Sequence, residues 1–109
     1  MADTDVIQGT LDMLILKSLS LQPMHGFGVT QRIEQISKGV FKVNPGSLLL
    51  AFQRLERDGL IDSEWRLSEN SRRAKYYRLT SQGRKQLRLE TDDWQRRVAA
   101  IARLLEADT

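Results

Sequence analysis

The stretch from Asn44 to Ile61, NPGSLLLAFQRLERDGLI, leaves few choices of fold. Proline is tolerated in a helix only in the first turn, so Pro45 marks a start there, with Asn44 or Ser47 able to cap. Leu48, Ala51, Phe52 and Leu55 then share one face at helical spacing. Gly59 is the residue type common just past a helix end, and Leu60 and Ile61 begin an extended segment. The outer face carries Gln and Arg, and an Arg-rich hairpin follows at once. A nucleic-acid reader needs that arrangement.

The rest of the chain reads around this helix. Residues 1–8 are polar and expected to fray at their start. GTLDMLILKSLSLQP is a first helix, with Thr10 a candidate cap, Leu11, Leu14, Ile15 and Leu19 at helical spacing, and Pro23 ending it. MHGFGVTQRIEQISKG is a second, with Val29, Ile33 and Ile36 inward and Gly39 as its stop. His25-Gly26-Phe27 can touch DNA; the simpler expectation is that Phe27 is core and His25 a surface cap. Residues 40–43 alternate as a short strand. LIDSEWRL and AKYYRLT form a hairpin whose tip carries Asn70, Ser71, Arg72 and Arg73. From Ser81, a candidate cap, to Ala107 runs one long helix. There Leu87, Thr91, Trp94, Val98, Ile101 and Leu105 make a heptad seam of about three repeats. Leu89, Ala102 and Leu104 lie off that seam and are expected to pack on the rest of the fold.

Totals narrow the chemistry. A chain of 109 residues holds one modest core. It has no cysteine, hence no disulfide, thiolate metal site or cysteine nucleophile, which fits the cytoplasm. The single histidine, His25, has no evident triad, and no Gly-rich phosphate loop follows a strand, so an enzyme is not expected, nor any metal or cofactor. No apolar run is long enough for a membrane helix. The net charge of +3 decides little, but its placement matters. From Arg66 to Arg78 the cations are Arg66, Arg72, Arg73, Lys75 and Arg78 against Glu69 alone, whereas Asp3 and Asp5 sit in the N-terminal tail.

Helix, helix, helix, hairpin, long helix is the winged helix-turn-helix plan: mainly α with a small β-hairpin, residues 1–80 binding DNA and 81–109 dimerising. An α-helix fits the major groove and a positive hairpin tip the adjacent minor groove or phosphates. Gln53 can pair with adenine, and Arg54 or Arg57 with guanine or phosphate. Ser47 and the backbone N–H groups around it can hold a phosphate. Arg72, Arg73 and Lys75 would contact the DNA backbone. Glu56 and Asp58 are expected to turn toward arginines or sideways to solvent. Trp94 reads first as an interface residue. Paired Trp94 rings stacking on a small aromatic effector are the sharper alternative.

GTLDMLILKSLS, MHGFGV, QRIEQISKG, VNPGSLLLAFQRLERDGLI and SEWRLSENSRRAKYYRLTSQGRKQL resemble, in order, the segments of PadR-type transcriptional regulators of the short form. The resemblance covers nearly the whole chain. It implies a homodimer on a palindromic double-stranded operator, usually as a repressor. It also implies a recognition helix over Ser47 to Asp58, a wing from Leu67 to Tyr76, and DNA contacts that include Lys42, Asn44 and position 49. The family commonly has an aromatic at position 49, Pro at position 50 and a smaller aliphatic at position 52. Here stand Leu49, Leu50 and Phe52. Leu49 cannot hydrogen-bond a phosphate or base, and one of the two leucines is expected to pack under the wing or touch thymine methyls. Their apolar character also supports an alternative, a winged-helix module that binds protein without specific DNA binding.

Overall fold

The computed structural model describes residues 4–5, 10–67 and 69–108. The fraying expected over residues 1–8 therefore lies largely outside the described residues. Thr4–Asp5 form a strand, β1, that the sequence did not announce. The remaining order is α1 (Leu11–Leu21), β2 (Met24–His25), α2 (Gly26–Ile36), β3 (Phe41–Lys42), α3 (Pro45–Arg57), β4 (Ile61–Leu67), β5 (Arg73–Leu79) and α4 (Ser81–Glu106). β1 pairs with β3 in parallel. β2, β5 and β4, in that spatial order, make an antiparallel sheet. The β4–β5 register sets Ile61 against Leu79 and Leu67 against Arg73.

One core joins the helices to the sheet. Ile15, Leu16 and Leu19 come from α1, Val29 and Ile33 from α2, and Leu48, Ala51, Phe52 and Leu55 from α3. Met24, Ile61, Tyr77 and Leu79 come from the sheet. The apolar face predicted for α3 is therefore the buried one. Phe52 stacks on Tyr77, with ring centroids 4.0 Å apart and planes 4° from parallel. Such a pair adds ~0.5–1.5 kcal/mol beyond its burial. This is the physical place of the large residue at position 52: it ties α3 to β5. Burial also pushes the Tyr77 phenol up, with Lys75 opposing and Glu56 reinforcing the shift.

Local chemistry fixes the ends of the elements. The Asn44 side-chain oxygen accepts from the N–H groups of Gly46 and Ser47 at 2.8 and 3.1 Å, so Asn44 caps α3. At the other end Gly59 takes φ +76°, which an L side chain adopts only with strain. Its N–H reaches the Glu56 carbonyl and the Leu60 N–H the Leu55 carbonyl, the paired bonds of a Schellman ending. The cap of α4 is Thr80 and not Ser81: its hydroxyl oxygen accepts from the Gly83 N–H at 3.0 Å while its hydroxyl donates to the Gly59 carbonyl at 2.7 Å. One threonine thus joins the end of α3 to the start of α4.

Phe27 is not core. It is 67 % exposed at the start of α2, where His25 caps the helix by accepting from the Gly28 N–H. Ile36, expected inward, is exposed, and Leu89, Ala102 and Leu104 are also exposed and do not pack on the fold. Leu87 packs against the core at the root of α4. Beyond it Thr91 and Trp94 are half-buried, while Val98, Ile101 and Leu105 stay exposed. At 26 residues α4 is about 39 Å long, and the molecule measures 59 × 33 × 21 Å. No helix among the described residues is long and apolar enough to cross a membrane.

Candidate nucleic-acid interface

Opposite the buried face of α3 stand Leu49, Leu50, Gln53 and Arg57, all exposed. The two flanks are used differently. One faces α1, where Arg54 donates through Nε to Asp12 at 3.3 Å and pairs again through its terminal nitrogen. Bonding to Asp12 raises the guanidinium pKa, and burial partly opposes it. The other flank faces the hairpin. There Glu56 accepts from the Ser63 hydroxyl at 2.6 Å and from the Lys75 ammonium at 3.4 Å. Arg54 and Lys75, both assigned to DNA from the sequence, are thus committed to carboxylates within the chain. Arg57 lies 3.6 Å from Asp58, with both side chains more than half exposed. Such a surface pair is worth ~0–1 kcal/mol and leaves Arg57 available.

Between α2, the first half of α3 and the hairpin tip lies an open groove of about 1010 Å³. Phe27, Leu49 and Phe52 give it an apolar wall, and Arg72, Arg73 and Lys75 a cationic one. Leu49 is 54 % and Leu50 63 % exposed, so neither is sequestered under the wing. The Ser47 and Gly46 N–H groups, offered to a phosphate in the sequence reading, are already taken by Asn44. Lys42 sits exposed on β3 just before α3.

The hairpin brings in residues that the sequence reading passed over. Ile61, Ser63, Trp65 and Leu67 alternate onto the α3 side of β4. Ile61 is buried and Ser63 bonded to α3, whereas Trp65 and Leu67 continue that face outward, exposed. The Arg73 guanidinium lies 5.5 Å from the Trp65 ring centre and that of Arg66 4.1 Å from the Tyr76 ring centre. Aromatic faces attract such cations and limit their wandering. On the outer face Arg78 donates to Asp62 at 2.9 and 3.2 Å. Trp65 shares the β4 face of Ser63, and the pairing of β4 with β5 brings Arg73 to it across the diagonal. His25 accepts from the Gly28 N–H through Nδ1 at 3.0 Å, stacks beside Phe27 and meets Tyr76 edge-on. Its proton in the neutral form is then on Nε2. Among the described residues no group of histidines and carboxylates could hold a metal.

This geometry, an exposed helix beside a cationic wing, agrees with sequence comparison. The profile of the PadR-like transcriptional regulator family matches residues 15–89. The chain belongs to the PadR-like family of transcriptional regulators. PadR-like proteins are DNA-binding regulators that act as dimers, and not enzymes. A transcriptional regulator from Clostridium thermocellum superposes with a TM-score of 0.84 at 28% identity, covering 94% of this chain and all of that one. A PadR family regulator from Eggerthella lenta gives 0.79 at 31% identity, over 93% of this chain and 86% of that one. An uncharacterised Lysinibacillus sphaericus protein is 30% identical over 86% of each chain. A transcriptional regulator of Mycobacterium tuberculosis is 37% identical over 64% of this chain and 62% of its own length.

Proposed function

We propose that the chain is a cytoplasmic homodimeric repressor that binds a palindromic operator and is released by an effector. The carrying observation is that Gln53, Arg57 and Leu49 of α3 stand exposed beside a groove whose other wall holds Arg72 and Arg73. In this reading residues 1–80 bind DNA and α4 with the remainder to residue 109 dimerises. Gln53 and Arg57 meet base edges in the major groove, and Leu49 meets thymine methyls. Ser47, Lys42 and the amide nitrogen of Asn44 lie toward phosphates at the helix start. Arg72 and Arg73 reach the neighbouring minor groove or backbone.

Leu87, Thr91, Trp94, Val98, Ile101 and Leu105 form the dimer seam. It is supported by the exposure of Val98, Ile101 and Leu105 on a helix that outruns its own core. A small aromatic effector between paired Trp94 rings would act by favouring one dimer geometry over another, which requires different affinities for the two.

Replacing Arg72 and Arg73 together with alanine tests the wing. Removing two phosphate contacts flattens the slope of log K against log salt by about 1.8 and weakens binding to all duplexes. An unchanged slope contradicts the wing assignment. Exposed Leu49 and Leu50 favour one second reading, a protein-binding winged helix. Salt-independent failure to bind any duplex, the protein's own promoter included, would select it.

A further inference from the structure

The Glu56 carboxylate lies on the flank of α3 that faces the wing and touches both hairpin strands. One oxygen accepts from Ser63 of β4 at 2.6 Å, the other from the Lys75 ammonium of β5 at 3.4 Å. The same ammonium sits 5.6 Å from the centre of the Tyr77 ring, which stacks on Phe52 one turn before Glu56. Lys75 is thus held on two sides. Both members of the pair are about a third exposed, 37 % for Lys75 and 35 % for Glu56, and Lys75 lines the groove.

The geometry points to Glu56 as a positioning residue that keeps Lys75 on the protein and out of phosphate contact, leaving the wing's reach to Arg72 and Arg73. This rests on the DNA-binding reading and deepens it. Sequence-independent attraction grows with each cation given to a phosphate. A carboxylate that withholds one lysine lowers attraction to every duplex equally and leaves base contacts by α3 untouched. Affinity for operator and random DNA falls by the same factor, so their ratio is kept while less protein is held on random DNA. Holding the wing to α3 through Ser63 is the second half of the role, and it does not depend on charge.

The test uses the full chain, with fluorescence anisotropy on a duplex from its own promoter and on a random duplex across a salt series. Glu56→Gln keeps an oxygen for the Ser63 hydroxyl and removes the charge that holds Lys75. It is expected to bind the random duplex more tightly and to steepen the salt slope by about 0.9, which changes the ratio to wild type about 3.5-fold between 50 and 200 mM salt. Lys75→Gln alone leaves the slope as in wild type, and the double variant returns to it. Ser63→Ala, which loses only the hydroxyl, keeps the wild-type slope. A Glu56→Gln slope equal to or shallower than wild type, or a Lys75→Gln slope shallower by about 0.9, overturns the inference. Wild-type chain that binds neither duplex at any salt overturns the DNA-binding reading itself, and so the two failures are distinct.

Discussion

At the scale of single residues, Asn44 decides where α3 begins. Its carboxamide oxygen occupies two N–H groups that the helix cannot satisfy itself, directly before Pro45, which has none to offer. Asn44→Ala is expected to lower stability by about 1 kcal/mol, and Asn44→Ser to retain most of it. Chemical denaturation checks this; equal stability of the alanine variant would show that the cap adds nothing. Asn44 was legible as a cap because capping depends on local sequence alone. The fate of Arg54 was not. Spacing placed it on the outer half of α3, but whether that flank faced DNA or α1 depended on Asp12, 42 positions earlier. Glu56 was expected to turn toward arginines or solvent; its partners are a serine and a lysine, brought to it by the hairpin register.

At the scale of elements, the join between α3, the sheet and α4 is the tightest point. Gly83, in the first turn of α4, is buried. A Cβ there would overlap the Leu60 carbonyl oxygen and lie 2.6 Å from Leu79 Cδ1. Helix propensity alone reads this glycine as a weakness of about 1 kcal/mol. Its packing reverses that reading, since only a residue without Cβ lets α4 approach the hairpin's base. Gly83→Ala is expected to destabilise by about 3 kcal/mol, at the upper end of overpacking costs, despite alanine's better propensity. Thermal unfolding reads the sign directly: a stabilised variant would mean the close approach is relaxed in solution.

The helices and hairpin were legible because their periods and stop residues are written locally. β2 and β1 were not, for two-residue strands have no period of their own. β2 exists because β5 lies beside Met24 and His25. Phe27 misled for a related reason: an aromatic reads as core unless its neighbours are known.

At the scale of the whole molecule, the helices and hairpin close a core within one chain, while the far end of α4 stays uncovered. The core closes with every buried side-chain polar atom among the described residues partnered. By contrast α4 carries Val98, Ile101, Leu104 and Leu105 into solvent. An apolar helix face of this kind is stable when a second helix covers it. The heptad spacing put Val98, Ile101 and Leu105 on one face in sequence; that this face stays open could be read only once α1 and Leu87 were placed. In the proposed dimer, pairing through it would set two α3 helices about a two-fold axis, the arrangement that a two-fold site requires.

The central claim, a dimer presenting paired recognition helices to DNA, is tested most directly by selecting bound sites from random duplexes. Wild-type protein is expected to enrich inverted repeats whose half-sites are centred about one helical turn apart, ~10–10.5 base pairs. Trp94→Asp protein, its seam broken, is expected to enrich only weak single half-sites. Enrichment of unrepeated sites by wild type, or of no sequence at all, would contradict the account.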